Sequence, residues 1–289
     1  MKNKNDKRGK SPANFYDEID IGPNKIYNED CLWGMERIAK HSVDLILCDL
    51  PYGTTKCRWD ILIPFPDLWR QYERILKPSG NILLFGTGLF AYKLALSNES
   101  WFRYELIWKK SKCGSPFTAK YMPMKRHENI LVFGRPAATY NPQMQPGIPY
   151  ARRWTPNKRN ELGYGIKGVC TDNKGTRHPI SILDFPQKWR RQDQLHPTQK
   201  PVELFEYLIK TYSNEGGLVL DNCIGSGTTA IACLNTGRRF IGFEKDAEIY
   251  DKCTQRIANH ATELACRLDE ALGENEIERN DEPAKDSRR

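Results

Sequence analysis

Two loops, each directly after an apolar run of strand length, constrain the fold of this chain more than any other feature. Asp49-Leu50-Pro51-Tyr52 follows the run Val43 to Cys48, and Asp221-Asn222-Cys223-Ile224-Gly225-Ser226-Gly227-Thr228-Thr229 follows Leu218-Val219-Leu220. The apolar residues in both runs are largely consecutive rather than alternating, as in strands buried on both faces. Such strands belong to parallel sheets covered by helices, and those sheets bind ligands beyond the carboxyl ends of their strands.

The rest of the pattern agrees. Strands are expected from Lys25-Ile26-Tyr27 to an end at Glu29-Asp30, and at Asn81 to Phe85, Tyr104 to Trp108, Asn129 to Phe133 and Phe240 to Phe243. Helical spacing marks Leu32 to Ala39, Phe65 to Leu76 (stopped by Pro78 and Gly80), Phe90 to Leu96 and Val202 to Tyr212, with further helices starting near Thr229 and Ala247. Strands alternating with helices predict an α/β fold with a doubly wound, mostly parallel sheet. Asp30, Asp49, Asp221 and Glu244 all stand at strand carboxyl ends. They are expected to converge on one rim, with the strand ending at Asp221 beside the strand ending at Asp49.

Residues 1–23 read as a flexible basic arm, and residues 273–289 as a charged tail without large apolar side chains. Residues 24–134 and 195–272 carry the regular pattern in two halves. Between them, 135–194 is rich in Pro, Gly, Arg, Asn and Gln, and irregular segments of that length are functional or disordered. The net charge is +8, and 135–194 holds 11 Lys/Arg against 4 Asp/Glu, a surplus of +7 that accounts for nearly all of it. Such concentration is the footprint of a polyanion partner.

Nine cysteines are scattered without a C-x-x-C pair, which supports neither a zinc ribbon nor a thioredoxin-type site, and no metal is expected. Cysteines within apolar runs, such as Cys48 and Cys233, fit buried reduced thiols. No apolar run approaches the roughly 18 residues that span a bilayer. The polar, basic start has no apolar stretch behind it, so a cytoplasmic protein without membrane attachment is expected.

The glycine loop lies between a strand and a helix start, where glycine allows a tight turn and close approach of a ligand. Glu244 follows Asp221 by 23 residues at the end of the next strand, the spacing that lets an acid hydrogen-bond ribose hydroxyls. Gly-Lys-Ser/Thr is absent, which removes a phosphate loop. A carboxylate at the front of the loop would repel a pyrophosphate but suit the amino group of a methionine moiety. The combination points to S-adenosylmethionine.

Asp49-Leu50-Pro51-Tyr52 has complementary chemistry. The exocyclic amine of adenine or cytosine is a poor nucleophile because its lone pair is delocalised into the ring. Two acceptors drawing on its hydrogens, the Asp49 carboxylate and the Leu50 backbone carbonyl, favour a tetrahedral nitrogen. Pro51 stiffens the turn, and Tyr52 offers a face on which an extruded base can stack.

These motifs resemble the amino-directed DNA methyltransferases, which methylate adenine N6 or cytosine N4. Their catalytic signature is Asp/Asn/Ser-Pro-Pro-Tyr/Phe/Trp, and here Leu50 replaces the first proline. Their cofactor loop resembles Asp-Pro-Phe-x-Gly-Ser-Gly-Thr-Thr. His196-Pro197-Thr198-Gln199-Lys200-Pro201 is similar to the element that helps hold the methionine end of the cofactor. Asn28-Glu29-Asp30-Cys31 is similar to the element whose acid reaches the adenine, and His127 to Leu131 is also family-like. Catalytic motif first, basic insert next and cofactor loop last is the permuted order of the β group. The resemblance implies a seven-stranded sheet, cofactor binding by Asp30, Cys31, Thr198, Lys200, Asp221, Gly225, Ser226, Gly227, Thr228 and Glu244, and catalysis by Asp49, Leu50, Pro51 and Tyr52. It also implies double-stranded DNA as substrate and a target-recognition role for the insert.

Within the insert, Arg152, Arg153, Lys158, Arg159, Arg177, Arg190 and Arg191 are the candidate DNA contacts, with Trp154, Trp189, Asn157, Asn160 and Gln187 among them. Arg and Lys neutralise phosphates, and Arg, Asn and Gln can read base edges. Aspartate at the head of the motif favours adenine within the family, with cytosine N4 as the alternative. A degenerate, non-catalytic DNA-binding protein and an RNA substrate are further alternatives. A homodimer and a separately encoded restriction endonuclease are left open as partners.

Overall fold

The computed structural model describes residues 24–55, 57, 60–114, 116–153, 170–187 and 199–280. The first half runs β1 (Lys25–Tyr27), α1 (Cys31–Glu36), β2 (Val43–Cys48), α2 (Phe65–Ile75), β3 (Leu76–Gly86), α3 (Gly88–Leu96), β4 (Phe102–Lys109) and β5 (His127–Gly134). Short strands follow: β6 (Gln145–Pro146), β7 (Tyr150–Arg153), β8 (Cys170–Asn173), β9 (Thr176–Arg177) and β10 (Ile182–Asp184). The chain then forms α4 (Val202–Tyr212), β11 (Leu218–Asp221), α5 (Thr228–Asn235), β12 (Arg239–Phe243) and α6 (Ala247–Asn280).

The central sheet has the order β1-β12-β11-β2-β3-β5-β4-β10. Every neighbouring pair is parallel except the two that involve β5, which runs against β3 and β4. Seven of the strands are those expected from the pattern. The eighth, β10, comes from the insert and pairs with β4 through Ile182↔Ile107 and Asp184↔Lys109. Sequence periodicity could not reveal it, because only Leu183 of its three residues is buried. Boundaries differ as well: β1 ends at Tyr27 rather than at Glu29-Asp30, and α1 ends at Glu36 rather than Ala39. Backbone pairing of Leu76 with Val43 starts β3 ahead of Pro78 and Gly80 rather than at Asn81. Helix α6 continues past Gly273 to Asn280, where composition alone suggested a tail. The basic arm and residues 281–289 lie outside the described residues.

Consecutive side chains of a buried strand serve opposite faces. In β2, Ile46 and Cys48 pack with Met35, Leu68, Tyr72 and Leu94 beneath α1, α2 and α3. Leu45 and Leu47 pack on the other face with Leu204, Leu208, Ala230 and Cys253 beneath α4, α5 and α6. This makes a helix–sheet–helix sandwich and explains the unbroken apolar run. Cys48 and Cys233 are buried free thiols.

Gly242 of β12 sits where the sheet supports the second loop. A Cβ there would lie 2.4 Å from Ile224 Cδ1 and 2.9 Å from Ile26 Cγ2. Gly242→Ala should therefore cost about 1–3 kcal/mol through overpacking. Chemical denaturation checks this, and an unchanged midpoint would show that Ile224 gives way freely.

Candidate functional site

The four acids end four adjacent strands, β1, β12, β11 and β2, on one rim. The strands leading to Asp49 and Asp221 are direct neighbours, with Val219↔Leu45 and Leu220↔Ile46 in register. Asp30 caps α1, its Oδ1 accepting from the Leu32 amide at 3.0 Å, while Lys245 donates to its Oδ2 at 3.1 Å. Asn28 Nδ2 donates to the carbonyls of Glu244 at 2.9 Å and Lys245 at 3.2 Å, tying the ends of β1 and β12 together.

The glycine loop turns through left-handed backbone at Gly225 (φ 51°) and Gly227 (φ 80°). Their two sides differ. A Cβ on Gly227 would lie 2.8 Å from Cys253 Sγ, whereas one on Gly225 would meet nothing nearer than 3.9 Å. Gly227 is thus fitted against the protein, and Gly225 leaves its face open to a ligand. Glu244 Oε2 accepts from the Gly225 amide at 3.1 Å and Oε1 from the Asp246 amide at 2.9 Å. Burial raises the Glu244 pKa in spite of these bonds. Asp221 accepts from the Cys223 amide at 3.1 Å and from the Thr229 hydroxyl. Its burial pushes the pKa up to about 6, against the lowering effect of those donors. Arg256 of α6 donates to the Ser226 carbonyl at 2.7 Å and to Thr228 Oγ1 at 3.3 Å.

On the β2 side, Tyr52 donates its hydroxyl to Asp49 Oδ1 at 2.8 Å, and its ring lies 4.7 Å from that of Phe90 at 30°. Burial, with Asp49 nearby, holds the Tyr52 pKa well above that of an ordinary tyrosine. The Leu50 side chain is buried in the core, so its exposed chemistry is that of its backbone. The turn after Tyr52 is held by Asp60, which accepts from the amides of Gly53 (2.8 Å), Thr54 (2.9 Å) and Thr55 (2.6 Å). Burial works against charge on Asp60, but the donors from Thr55, Gly53 and Thr54 keep its pKa below the usual value.

Lys200 joins the two sides. Its carbonyl accepts from Thr228 Oγ1 at 3.4 Å, and its buried ammonium pairs with Asp49 Oδ2 and, at 3.3 Å, with Glu128 Oε2. The ring of Phe85 lies 5.1 Å beneath the charge. Burial alone would lower the lysine pKa, but Asp49 and Glu128 more than offset it and raise it. Glu128 likewise stays below the usual carboxylate range, since Lys200 and Lys110 outweigh its burial. Lys110 reaches Glu128 Oε1 at 2.7 Å.

Of the residues singled out in the sequence, Asp30, Asp49, Leu50, Tyr52, Lys200, Asp221, Gly225, Ser226, Gly227, Thr228 and Glu244 come together through these contacts. Pro51 lies between Leu50 and Tyr52, and Cys31 packs behind the loop with its sulfur 3.7 Å from Asn222 Nδ2. Thr198, Lys158, Arg159, Arg190 and Arg191 lie outside the described residues. In the insert, β7 pairs with β8 and leaves Arg152 exposed, while nothing is described of the Arg153 side chain. Arg177 bonds Asn173 Oδ1 at 2.6 Å and the Ile148 carbonyl, and stacks 4.7 Å from the Tyr150 ring centre. Its guanidinium is therefore spent largely on folding the insert.

Glu128 and Asp60 were not assigned from sequence. Glu128 opens an antiparallel strand, so it reaches the rim from the amino end, where a search of strand carboxyl ends does not look. Asp60 is a lone acid eight residues past Tyr52 and carries no pattern.

A family model described as DNA methylase, for the N6/N4 methyltransferases, matches residues 43–255. Type II methyltransferase M.HpaI of Haemophilus parainfluenzae is 28% identical over 236 residues, covering 77% of this chain and 70% of its own. Type II methyltransferase M1.MboII of Moraxella bovis is 29% identical over 255 residues, 78% of this chain and 93% of its own. Among solved structures, the M1.HpyAVI–SAM complex superposes with TM-score 0.55 at 21% identity, over 81% of this chain and 98% of that one. The PvuII DNA methyltransferase (cytosine-N4-specific) gives 0.59 at 16%, over 82% and 90%. With the family model spanning most of the chain, the protein belongs to the N6/N4 DNA methylase family.

Proposed function

We propose that the protein transfers a methyl group from S-adenosylmethionine to the N6 amino group of adenine in duplex DNA, with the target base swung out of the helix. The observation that carries this reading is the meeting of Asp49 and Tyr52 with Asp221, Gly225 and Glu244 on one rim, on the neighbouring strands β2, β11 and β12.

The donor set fits the cofactor. Glu244 would hold ribose hydroxyls, and Asp221 would attract the amino group. The open face of Gly225 admits the ligand, with Asp30 and Cys31 toward the adenine. Ser226, Gly227, Thr228 and Thr198 are assigned to the methionine end by resemblance. Lys200 contributes there through its carbonyl, since its ammonium is committed to Asp49 and Glu128. When bound, S-adenosylmethionine would supply an electrophilic methyl group on a sulfonium, whose sulfur would keep the electron pair of the broken S–CH3 bond and leave as a neutral thioether.

The remaining chemistry belongs to the chain. Asp49 and the Leu50 carbonyl accept hydrogen bonds from the two amine N–H groups and release the nitrogen lone pair from the ring. The Tyr52 hydroxyl occupies Asp49 Oδ1 in this structure, so an arriving amine shares or replaces that contact while the Tyr52 ring, braced on Phe90, stacks on the base. The methylated nitrogen then loses one hydrogen as a proton, for which Asp49 is the adjacent acceptor. Arg152 and the other basic residues of the insert supply phosphate or base contacts. The likeness to type II methyltransferases supports a role as the modification half of a restriction–modification pair.

Mass spectrometry of nucleosides from DNA treated with enzyme and cofactor tests the target. N6-methyladenine is expected, and N4-methylcytosine alone would overturn the choice of base. Asp49→Ala should reduce transfer at least about 10³-fold and lower cofactor affinity by calorimetry far less, because several kcal/mol of transition-state stabilisation is removed while Glu128 still holds the Lys200 ammonium.

The raised Asp221 pKa gives a second test. Only its carboxylate attracts the cofactor ammonium. Cofactor affinity should therefore be level well above the Asp221 pKa and fall as pH drops through about 6, where the free enzyme takes up a proton. Asp221→Asn should bind weakly and lose this step. A wild-type profile level down to pH 5 would remove Asp221 from the role.

A further inference from the structure

The turn between β4 and β5 carries features that neither the family assignment nor the mechanism uses. From Ile107 to Arg126 the chain has six Lys/Arg residues and no acid. Beyond the last β4–β5 rung, Lys109↔His127, the hairpin is extended by bonds from the Lys110 amide to the Arg126 carbonyl (2.9 Å) and from the Gly114 amide to the Lys125 carbonyl (2.8 Å). The tip is compact. A 3-10 turn at Pro116–Thr118 is closed by the Ala119 amide on the Pro116 carbonyl (3.3 Å), and the amides of Tyr121 (2.9 Å) and Met122 (3.1 Å) on the Thr118 carbonyl form the next turn. Yet this tip turns its large apolar side chains outward: Phe117 is 95% exposed and Tyr121 85%, with Met122 and Met124 also exposed. A cluster of that kind on one projection marks an interaction surface.

Its base connects to the chemistry. Lys110 holds Glu128, Glu128 holds Lys200, and Lys200 holds Asp49. Lys125 bonds the Thr87 hydroxyl after β3, fixing the other leg of the stem. The charge favours one partner. A second copy docking by this hairpin in a two-fold contact would bring Lys112, Lys120 and Arg126 against their own counterparts, whereas a nucleic acid would neutralise them. Apolar side chains at such positions wedge between base steps, and extrusion of a base leaves a gap in the stack that needs filling.

We propose that the β4–β5 hairpin is the duplex-inserting element of the enzyme. Phe117 enters the base stack beside the extruded nucleotide, and Lys112 and Lys120 hold the flanking phosphates. The inference rests on the proposed methyltransferase reading.

The test compares single-turnover methyl transfer by wild type, Phe117→Ala and Phe117→Trp. The two substrates are a duplex carrying the methylation site mapped by sequencing, and the same duplex with the target base mismatched and so already unpaired. Phe117→Ala should be slower than wild type by roughly tenfold or more on the matched duplex and regain near wild-type rate on the mismatched one, since a base already unpaired costs little to extrude. Phe117→Trp should retain activity on both. Cofactor affinity by calorimetry and sedimentation of the free enzyme should be the same for all three. Equal rates on the matched duplex, a loss that the mismatch does not relieve, or a changed oligomeric state in Phe117→Ala would each overturn the proposal. Failure of wild type to methylate any DNA would instead strike the methyltransferase reading itself.

Discussion

The Lys200 ammonium is buried between Asp49 and Glu128, with the Phe85 ring beneath it, and the geometry of the site hangs on that charge. Without its partners a buried ammonium would cost several kcal/mol or give up its proton, and without the ammonium two carboxylates would face one another in a poorly solvated space. The cluster therefore forms as a unit. It joins parts of the chain far apart in sequence: the loop after β2, the start of β5, and the segment before α4. Through the Lys200 carbonyl and Thr228 it also reaches the glycine loop. A chain in permuted order, with its catalytic loop ahead of its cofactor loop, needs such a tie to hold the two at a fixed separation.

The sheet supplies the rest of the alignment. Pairing of β11 with β2 places Asp221 beside Asp49 with no help from side chains. The insert is part of this frame. Strand β10 extends the sheet beside β4, the Lys109–Asp184 ion pair at 2.6 Å closes its rim end, and Trp108 Nε1 donates to the Phe185 carbonyl at 3.0 Å. The chain thus leaves the insert near the rim and returns to the site at Lys200. The departures from the family motifs also have a physical account. Leu50 sends its side chain into the core and keeps its carbonyl available. Asn222 spends its amide on the Tyr72 hydroxyl, at 2.5 Å, and on the sulfurs of Cys31 and Cys223.

Much of this was legible in the sequence because the signals were local. Buried strands show as unbroken apolar runs, the two loops carry their own chemistry, and four acids at strand ends imply a shared rim. The illegible parts depend on tertiary contacts. Strand β10 is three residues long and exists because β4 offers an open edge. Lys200 was assigned to the cofactor by its motif, and only folding shows its ammonium on Asp49. Arg177 looks like a phosphate ligand in a basic segment, yet its neighbours Asn173, Ile148 and Tyr150 occupy it. Charge composition locates a basic region but does not say which cations are already engaged.

A double-mutant cycle between Asp49→Asn and Lys200→Met, read by chemical denaturation, tests the coupling most directly. Asp49→Asn leaves the Lys200 ammonium to Glu128 alone, and Lys200→Met leaves Asp49 without its cation, whereas the double change removes both charges of the pair at once. The double mutant should be less destabilised than the sum of the singles by about 1–3 kcal/mol. Strictly additive effects would contradict the claim that this pair binds the catalytic loop to the cofactor side.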